Sequence, residues 1–312
     1  MGIIIGFILK NISIAIFFLC SLFTSFLCSA EDESKIPILW LTDDIADKEN
    51  YIENNQISIG TDTSNLVLNA LTKYQFEFQL APIPRINLLL KSTENICVGN
   101  RVKTKERALN NIFSLPINIY PGLRLYYLNK ESGVPKSLLN EDDEINSLAK
   151  FFEKQPNKVL GISKGRSFGK YLDDQISQIP KSNIILRGGN GRYEALVYML
   201  LKNRIDFLID FPTEHKRKVD IAVSITNTHS IVDIKSLAIA NSPKLISGRI
   251  ACTKSAFGKA FIAEVDKILL TLYQEPSFYQ AHARYINKSD LPAFKTSFNS
   301  YFQRLINQGA SR

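Results

Sequence analysis

From Ile36 onward the chain switches repeatedly between the hydrophobic period of a strand and that of a helix, and this alternation restricts the fold more than any single motif. Ile36 to Leu41 reads as a buried strand that stops at the turn Thr42-Asp43-Asp44. After the polar start Gly60–Ser64, the residues Leu66, Ala70 and Leu71 recur at helical spacing. Phe76, Phe78 and Leu80 alternate with polar neighbours, Pro82 and Pro84 end that strand, and Ile86, Leu89 and Leu90 mark a short helix before a strand at Ile96. Strand–helix–strand–helix–strand within about seventy residues predicts an α/β sheet with parallel crossovers.

The same grammar continues. An apolar run from Leu123 to Leu128 precedes the polar segment Lys130–Asn140, which carries Gly133 and Pro135. A helix is predicted next. Asn140 is its expected cap, acidic Glu141–Glu144 suit its start, Lys150 and Lys154 its end, and Ile145, Leu148, Ala149 and Phe152 its buried face. Val159–Ile162 and Asn183–Leu186 read as strands, and Leu196, Val197, Leu200 and Leu201 as one face of a helix leading to Ile205–Asp210. Ser236–Ala240 and Arg249–Cys252 are expected to be late strands of the second half. Helices follow on Phe261, Val265, Ile268, Leu269 and Leu272, and on Phe294, Phe298, Tyr301, Phe302 and Leu305. Aromatics at that spacing are core rather than a binding box.

At 312 residues and 45% hydrophobic, the chain supports two lobes or domains. Residues 1–30 read as a secretory signal, with an uncleaved membrane anchor as the alternative: Lys10 is their only charged side chain, an apolar run spans Ile12–Leu27, and Cys28-Ser29-Ala30 precedes acidic Glu31-Asp32-Glu33. Cys97 and Cys252 then remain, and an oxidising compartment permits a disulfide between them. The alternative, two separate thiols, stays open at this point. His215, His229 and His282 are scattered, so no metal or other cofactor is expected. The formal charge of +8 favours anionic ligands, but the basic residues are dispersed, with Lys216-Arg217-Lys218 the densest group, and no nucleic-acid module accompanies them.

One stretch carries a specific chemical signal. It reads Cys97-Val-Gly-Asn-Arg-Val-Lys-Thr104-Lys-Glu-Arg107, followed by Phe113-Ser114-Leu-Pro116. A planar guanidinium in a polar turn can hold a carboxylate through two parallel hydrogen bonds. A second turn, Ser163-Lys-Gly165-Arg166-Ser167-Phe168-Gly169, opens a helix and presents backbone N–H groups that attract anionic oxygens. It lacks the Gly-Lys-Ser/Thr ending of a nucleotide-binding P-loop.

The Thr-x-x-Arg…Phe-Ser-x-Pro pattern resembles extracellular solute-binding proteins of the family 3 type, and the agreement spans most of residues 36–275. The resemblance implies a type II periplasmic-binding-protein fold, α/β, in which each of two lobes is a mixed sheet flanked by helices, with a hinge between them. The expected division is 31–128 plus 256–312 for the first lobe and 129–255 for the second, with Lys130–Asn140 as the hinge or a loop. By the same resemblance Arg107, with Thr104, grips a ligand carboxylate, and Arg166 and Ser167 complete the grip from the second lobe. The loop after the first strand supplies a stacking aromatic in that family; Tyr51 or Trp40 is the available substitute, and both also suit a core. The family's amine-binding acid falls five residues after the Asp that matches Asp206, whereas Asp210 falls four after it. One residue of offset turns a strand side chain to the opposite face. Either a bulge restores Asp210 to the ligand or it is a strand-end carboxylate for Lys216 or Arg217.

The implied function is capture of a small anionic or amino-acid-like molecule in the periplasm by a monomer, for a membrane permease or a sensor. A ligand-free interaction protein on the same fold is the alternative. An enzyme derived from it would draw on Glu194, Asp206 or Glu214, but no nucleophile–base pair supports one.

Overall fold

The computed structural model describes residues 35–53, 55–92, 94–129, 133–189, 194–226 and 233–309. The expected signal segment, the start of the expected hinge at 130–132, and His229 lie outside them.

The first sheet begins with β1 (Ile36–Thr42), whose Ile38, Trp40 and Leu41 are buried. Helices α1 (Ile45–Asn50), capped by the Asp44 carboxylate, and α2 (Ile59–Ala70), capped by Ser58, lead to β2 (Tyr74–Leu80). Helix α3 (Ile83–Leu89) starts at the prolines that end β2, and β3 (Ile96–Arg101) returns parallel to β1. This is the crossover arrangement that the alternating periods predict. The six-residue helix α4 (Lys105–Asn110) then feeds the long β4 (Asn111–Pro121).

The chain next enters a second sheet. It contains β5 (Arg124–Leu128), β6 (Leu160–Ser163), β7 (Ile184–Arg187), β8 (Phe207–Asp210) and β9 (Ile234–Leu237), in the order β7-β6-β8-β5-β9. Helices α5 (Leu148–Glu153), α6 (Lys170–Ser177), α7 (Glu194–Leu201) and α8 (Pro212–Thr226) connect these strands. A final strand, β10 (Leu245–Thr253), inserts antiparallel between β3 and β4, so the first sheet runs β2-β1-β3-β10-β4. Helices α9 (Ala256–Leu272), α10 (Pro276–Ala283) and α11 (Leu291–Gly309) close over the first sheet through Phe261, Phe278, Phe298 and Phe302.

Three expectations are corrected. The outward crossing lies between β4 and β5, so residues 124–128 belong with the second sheet. The return lies before β10, so residues 245–253 belong with the first, where Arg249–Cys252 was expected in the second. The helix expected from Asn140 begins instead at Leu148, because Ser147 caps it. The Asn140 side chain accepts hydrogen bonds from the Asp142 and Glu144 backbone N–H groups, which holds the preceding residues in a turn.

The placement of β10 also resolves the cysteines. Cys252 lies directly opposite Cys97, and the two form a buried disulfide that spans 155 residues of sequence. The cross-link ties β10 to β3, and through them the chain's return to its first sheet. Closing a loop of that length removes about 5 kcal/mol of unfolded-state chain entropy in the loop-closure account. Replacement of both residues, Cys97→Ala with Cys252→Ala, is expected to cost about 2–5 kcal/mol in urea unfolding, and reductant should lower the wild-type midpoint but not that of the double variant.

Candidate functional site

A cavity of about 130 Å³ lies between the two sheets' lobes. That is roughly ten water-sized volumes, room for a small molecule. The first lobe contributes Asp43 and Asp44 from the turn after β1, Asp47 from α1, Arg101 from the end of β3, Arg107 from α4 and Tyr120 from β4. The second contributes Arg166 and Ser167 from the β6–α6 turn, Phe211, and Glu214, Arg217 and Lys218 from α8.

Thr104 is the N-cap of α4: its hydroxyl accepts from the Arg107 backbone N–H at 3.2 Å. That cap fixes the helix turn on which Arg107 sits, but Thr104 itself is absent from the cavity wall. The Arg107 guanidinium donates to the Val102 carbonyl at 2.9 Å and, across the cleft, to the Gly165 carbonyl at 3.3 Å. Gly165 has φ +82°, and a Cβ there would stand 3.1 Å from Ile83 of the first lobe. Both the backbone conformation and the close approach of the lobes therefore call for glycine. The Phe113-Ser-Leu-Pro116 segment is structural: the Ser114 hydroxyl accepts from the Ile250 N–H at 3.0 Å and its carbonyl from Arg249 at 2.6 Å, holding β10 where the ladder bulges.

On the opposite wall Ser167 donates to the Asp173 carboxylate and accepts from the Gly169 N–H, which shapes the turn into α6. Arg166 lies over the Phe168 ring and 4.0 Å from Asp210. Asp210 is not a wall residue. It is 3% exposed, and both its oxygens accept from the Lys218 ammonium, at 2.6 and 2.7 Å. Burial alone would raise the Asp210 carboxyl, but Lys218, His215 and Arg166 together hold it well below the usual range. The strand-end alternative thus describes its position, with Lys218 as partner in place of Lys216 or Arg217.

Tyr51 is corrected. Its ring stacks on Phe78 and meets Trp40 edge-on inside the first lobe's core, away from the cavity. The aromatic pair at the cleft is instead Tyr120 and Phe211, one from each lobe, stacked with centroids 4.5 Å apart. The Tyr120 hydroxyl accepts from Asn100 at 2.9 Å. Beside them Gly248 leaves room for the Asn100 and Asn118 side chains, which a Cβ would overlap.

Of the wall acids, Glu214 was named from sequence only for the enzymatic alternative, and Asp43, Asp44 and Asp47 were not singled out as site residues. Asp47 lies on α1, accepts from Thr61 at 2.6 Å, and is pushed up to about 8 by withdrawal from water and by the charges of Asp44, Glu214 and Asp43. Glu214 is raised chiefly by burial, against the pull of Lys218 and Arg217. One of its carboxylate oxygens has no hydrogen-bond partner, and Arg217 stands 3.6 Å from the other. The acidic turn after the first strand was the available signal, but spacing alone could not set it opposite α8. Among the described residues no group of three His, Cys, Asp or Glu side chains is placed to hold a metal ion.

Two mixed α/β lobes, joined by two crossings and closed on a small polar cavity, define the type II periplasmic-binding-protein fold. Neither a protein-family model nor a curated protein sequence matches the chain. Solved structures do. One, from a study of glutathione import in Gram-positive bacteria through GshT and the cystine ABC importer TcyBC of Streptococcus mutans, aligns with TM-score 0.56 and 15% identity over 82% of this chain and 99% of its own. The amino acid ABC transporter substrate-binding protein AbpA of Streptococcus pneumoniae, bound to L-arginine, aligns with TM-score 0.52 and 15% identity over 82% and 95%. A histidine kinase sensor domain with similarity to periplasmic binding proteins aligns with TM-score 0.56 and 12% identity over 82% and 98%. At these identities the likeness is one of fold.

Two outcomes are expected of the site's electrostatics. Lys218→Met leaves the buried Asp210 charge without its main partner and should cost about 3–5 kcal/mol in denaturant unfolding, part of which Asp210→Asn in the same chain recovers. Asp47 has a folded value of about 8 against an ordinary 3.8. Between those values the folded state holds a proton that the unfolded state releases, so this contribution to stability is lost as pH rises toward 8. The melting temperature of Asp47→Asn relative to wild type should accordingly rise between pH 5 and pH 9.

Proposed function

We propose that this chain is an exported binding protein that captures a small anionic or amino-acid-like molecule between its lobes, and presents the closed form to a membrane permease or a sensor. The observation that carries the reading is the inter-lobe cavity with cationic side chains on both walls, Arg101 and Arg107 facing Arg166, Arg217 and Lys218. A ligand carboxylate held by groups from both lobes stabilises the closed form over the open one, which is how differential contacts shift a hinge equilibrium. Export is supported by the signal-like residues 1–30 and by the Cys97–Cys252 disulfide, a bond that persists in oxidising compartments. The solved neighbours named above are binding proteins or a sensor domain, in keeping with a role in capture rather than catalysis.

The state of Asp210 sharpens the ligand class. Its carboxylate is occupied by Lys218, so a ligand ammonium finds no acceptor there. Glu214, with an unsatisfied oxygen on the wall, is the remaining second-lobe acid for a cationic group. This favours anions without an α-amine first, and zwitterions that reach Glu214 second.

The test is a melting-shift screen of dicarboxylates, amino acids and small peptides. A true ligand at a hundred times its Kd should add about 2.7 kcal/mol of stability. Arg107→Ala should abolish that gain while leaving the unliganded melting temperature within a few degrees of wild type. A shift that survives in Arg107→Ala would overturn the assignment of the anchor.

A further inference from the structure

Behind the cleft lies a second and larger cavity, about 840 Å³, between the second sheet and the C-terminal helices. Its apolar walls come from Tyr126 and Ile234 of the second sheet, Val219 of α8, Leu245 at the start of β10, and Ile286 and Phe294 of the helical end of the chain. Its charge is one-sided. Arg124, Lys216 and Lys244 line it with one lining carboxylate, Asp290, and Lys216 also pairs with the exposed Asp220 at 2.9 Å. Arg124 is fixed on the sheet by hydrogen bonds to the Ser236 hydroxyl at 2.8 Å and carbonyl at 3.3 Å, so its guanidinium is positioned rather than mobile.

The same wall holds a buried polar group. His215 is 7% exposed, its ring stacks on Tyr126 with centroids 3.6 Å apart, and neither ring nitrogen makes a hydrogen bond. Nδ1 stands 3.8 Å from Asp210, and Nε2 is buried without a hydrogen-bond partner. A buried imidazole nitrogen left in this way calls for a partner. Helix α8 is a partition between the two cavities: Glu214, Arg217 and Lys218 face the inter-lobe cleft, while Thr213, His215, Lys216 and Val219 face the rear.

We propose that the rear cavity is a binding site for a small amphipathic anion, an aromatic or alkyl body carrying one carboxylate or sulfonate head. The body fills the apolar walls, and the head meets the Arg124, Lys216 and Lys244 side. Concave sites that combine apolar walls with convergent polar groups are the usual form of a small-molecule site, and here polar and apolar surface contribute about equally. The site is separate from the cleft and does not depend on the function proposed for it.

The experiment uses the intact protein with 1-anilinonaphthalene-8-sulfonate as the fluorescent probe, decanoate as competitor and decanol as its uncharged counterpart. The probe should saturate at one equivalent. Decanoate should displace it, and decanol should need at least about tenfold more. Ser297→Trp and Ala293→Trp place bulk at two exposed wall positions on successive turns of α11, and each should weaken probe binding at least about tenfold. Lys216→Glu with Lys244→Glu should do the same, because two attractive charges become repulsive at a partly screened site. Arg107→Ala should leave the probe affinity unchanged. Unaltered affinity in both tryptophan variants and in the charge-reversed protein would overturn the proposal, as would loss of probe binding in Arg107→Ala, which would place the probe in the cleft.

Discussion

The buried pair between Asp210 and Lys218 is the interaction on which the second lobe's functional surface depends. Two charges withdrawn from water are costly to bury, and the cost is offset only when the geometry satisfies both. Here Lys218 reaches from the second turn of α8 back to the last residue of β8 and meets both carboxylate oxygens. The contact fixes the rotation of α8 about its own axis. Once that is set, the helical period sends Glu214, Arg217 and Lys218 to one side and His215, Lys216 and Val219 to the other. Arg166, 4.0 Å from the same carboxylate, is positioned by it as well.

The second constraint is the double crossing between sheets. β10 is a central strand of the first sheet, bounded by β3 and β4, although most of the second lobe's sequence lies between it and them. The first sheet is therefore complete only when the chain has made the second lobe and returned. The disulfide locks β3 to β10 at that closure, and the Ser114 hydroxyl and carbonyl bind β10 from the β4 side. Both crossings run side by side, with the Gly122 N–H donating to the Lys244 carbonyl at 2.9 Å. A hinge built from two adjacent segments permits rotation of the lobes about one axis while each sheet stays intact.

Much of this was legible in the sequence, and the failures have physical causes. Periodicity identifies an element by its neighbours within a turn or two, and β1, α2, β2, α3 and β3 emerged in the expected order. It carries no information about which sheet a strand joins. Leu123–Leu128 and Arg249–Cys252 were therefore recognised as strands but assigned to the wrong lobes, since their partners lie far away in sequence. Asn140 and Ser147 are both good N-caps, and only the Asn140 side-chain bonds to the Asp142 and Glu144 N–H groups decide that the helix waits for Ser147. Arg107, on the short helix α4, and Arg166, in the turn before α6, both line the cavity, and each carries a local sequence pattern of its own. Tyr51 could not be told from a core residue, and a core residue is what it is, because an aromatic after a strand looks the same in either role.

The wall acids explain why the site's charge was harder to read than its arginines. Four carboxyls, Asp43, Asp44, Asp47 and Glu214, share the cavity with five cationic groups, yet their effect depends on how close the lobes bring them. Asp47 belongs to the first lobe and Glu214 to the second, and each is raised chiefly by burial, with Glu214 adding to the rise at Asp47. Spacing along the chain shows the acids but not that folding withdraws two of them from water on facing walls, where the charged carboxylate that would repel an anion is disfavoured.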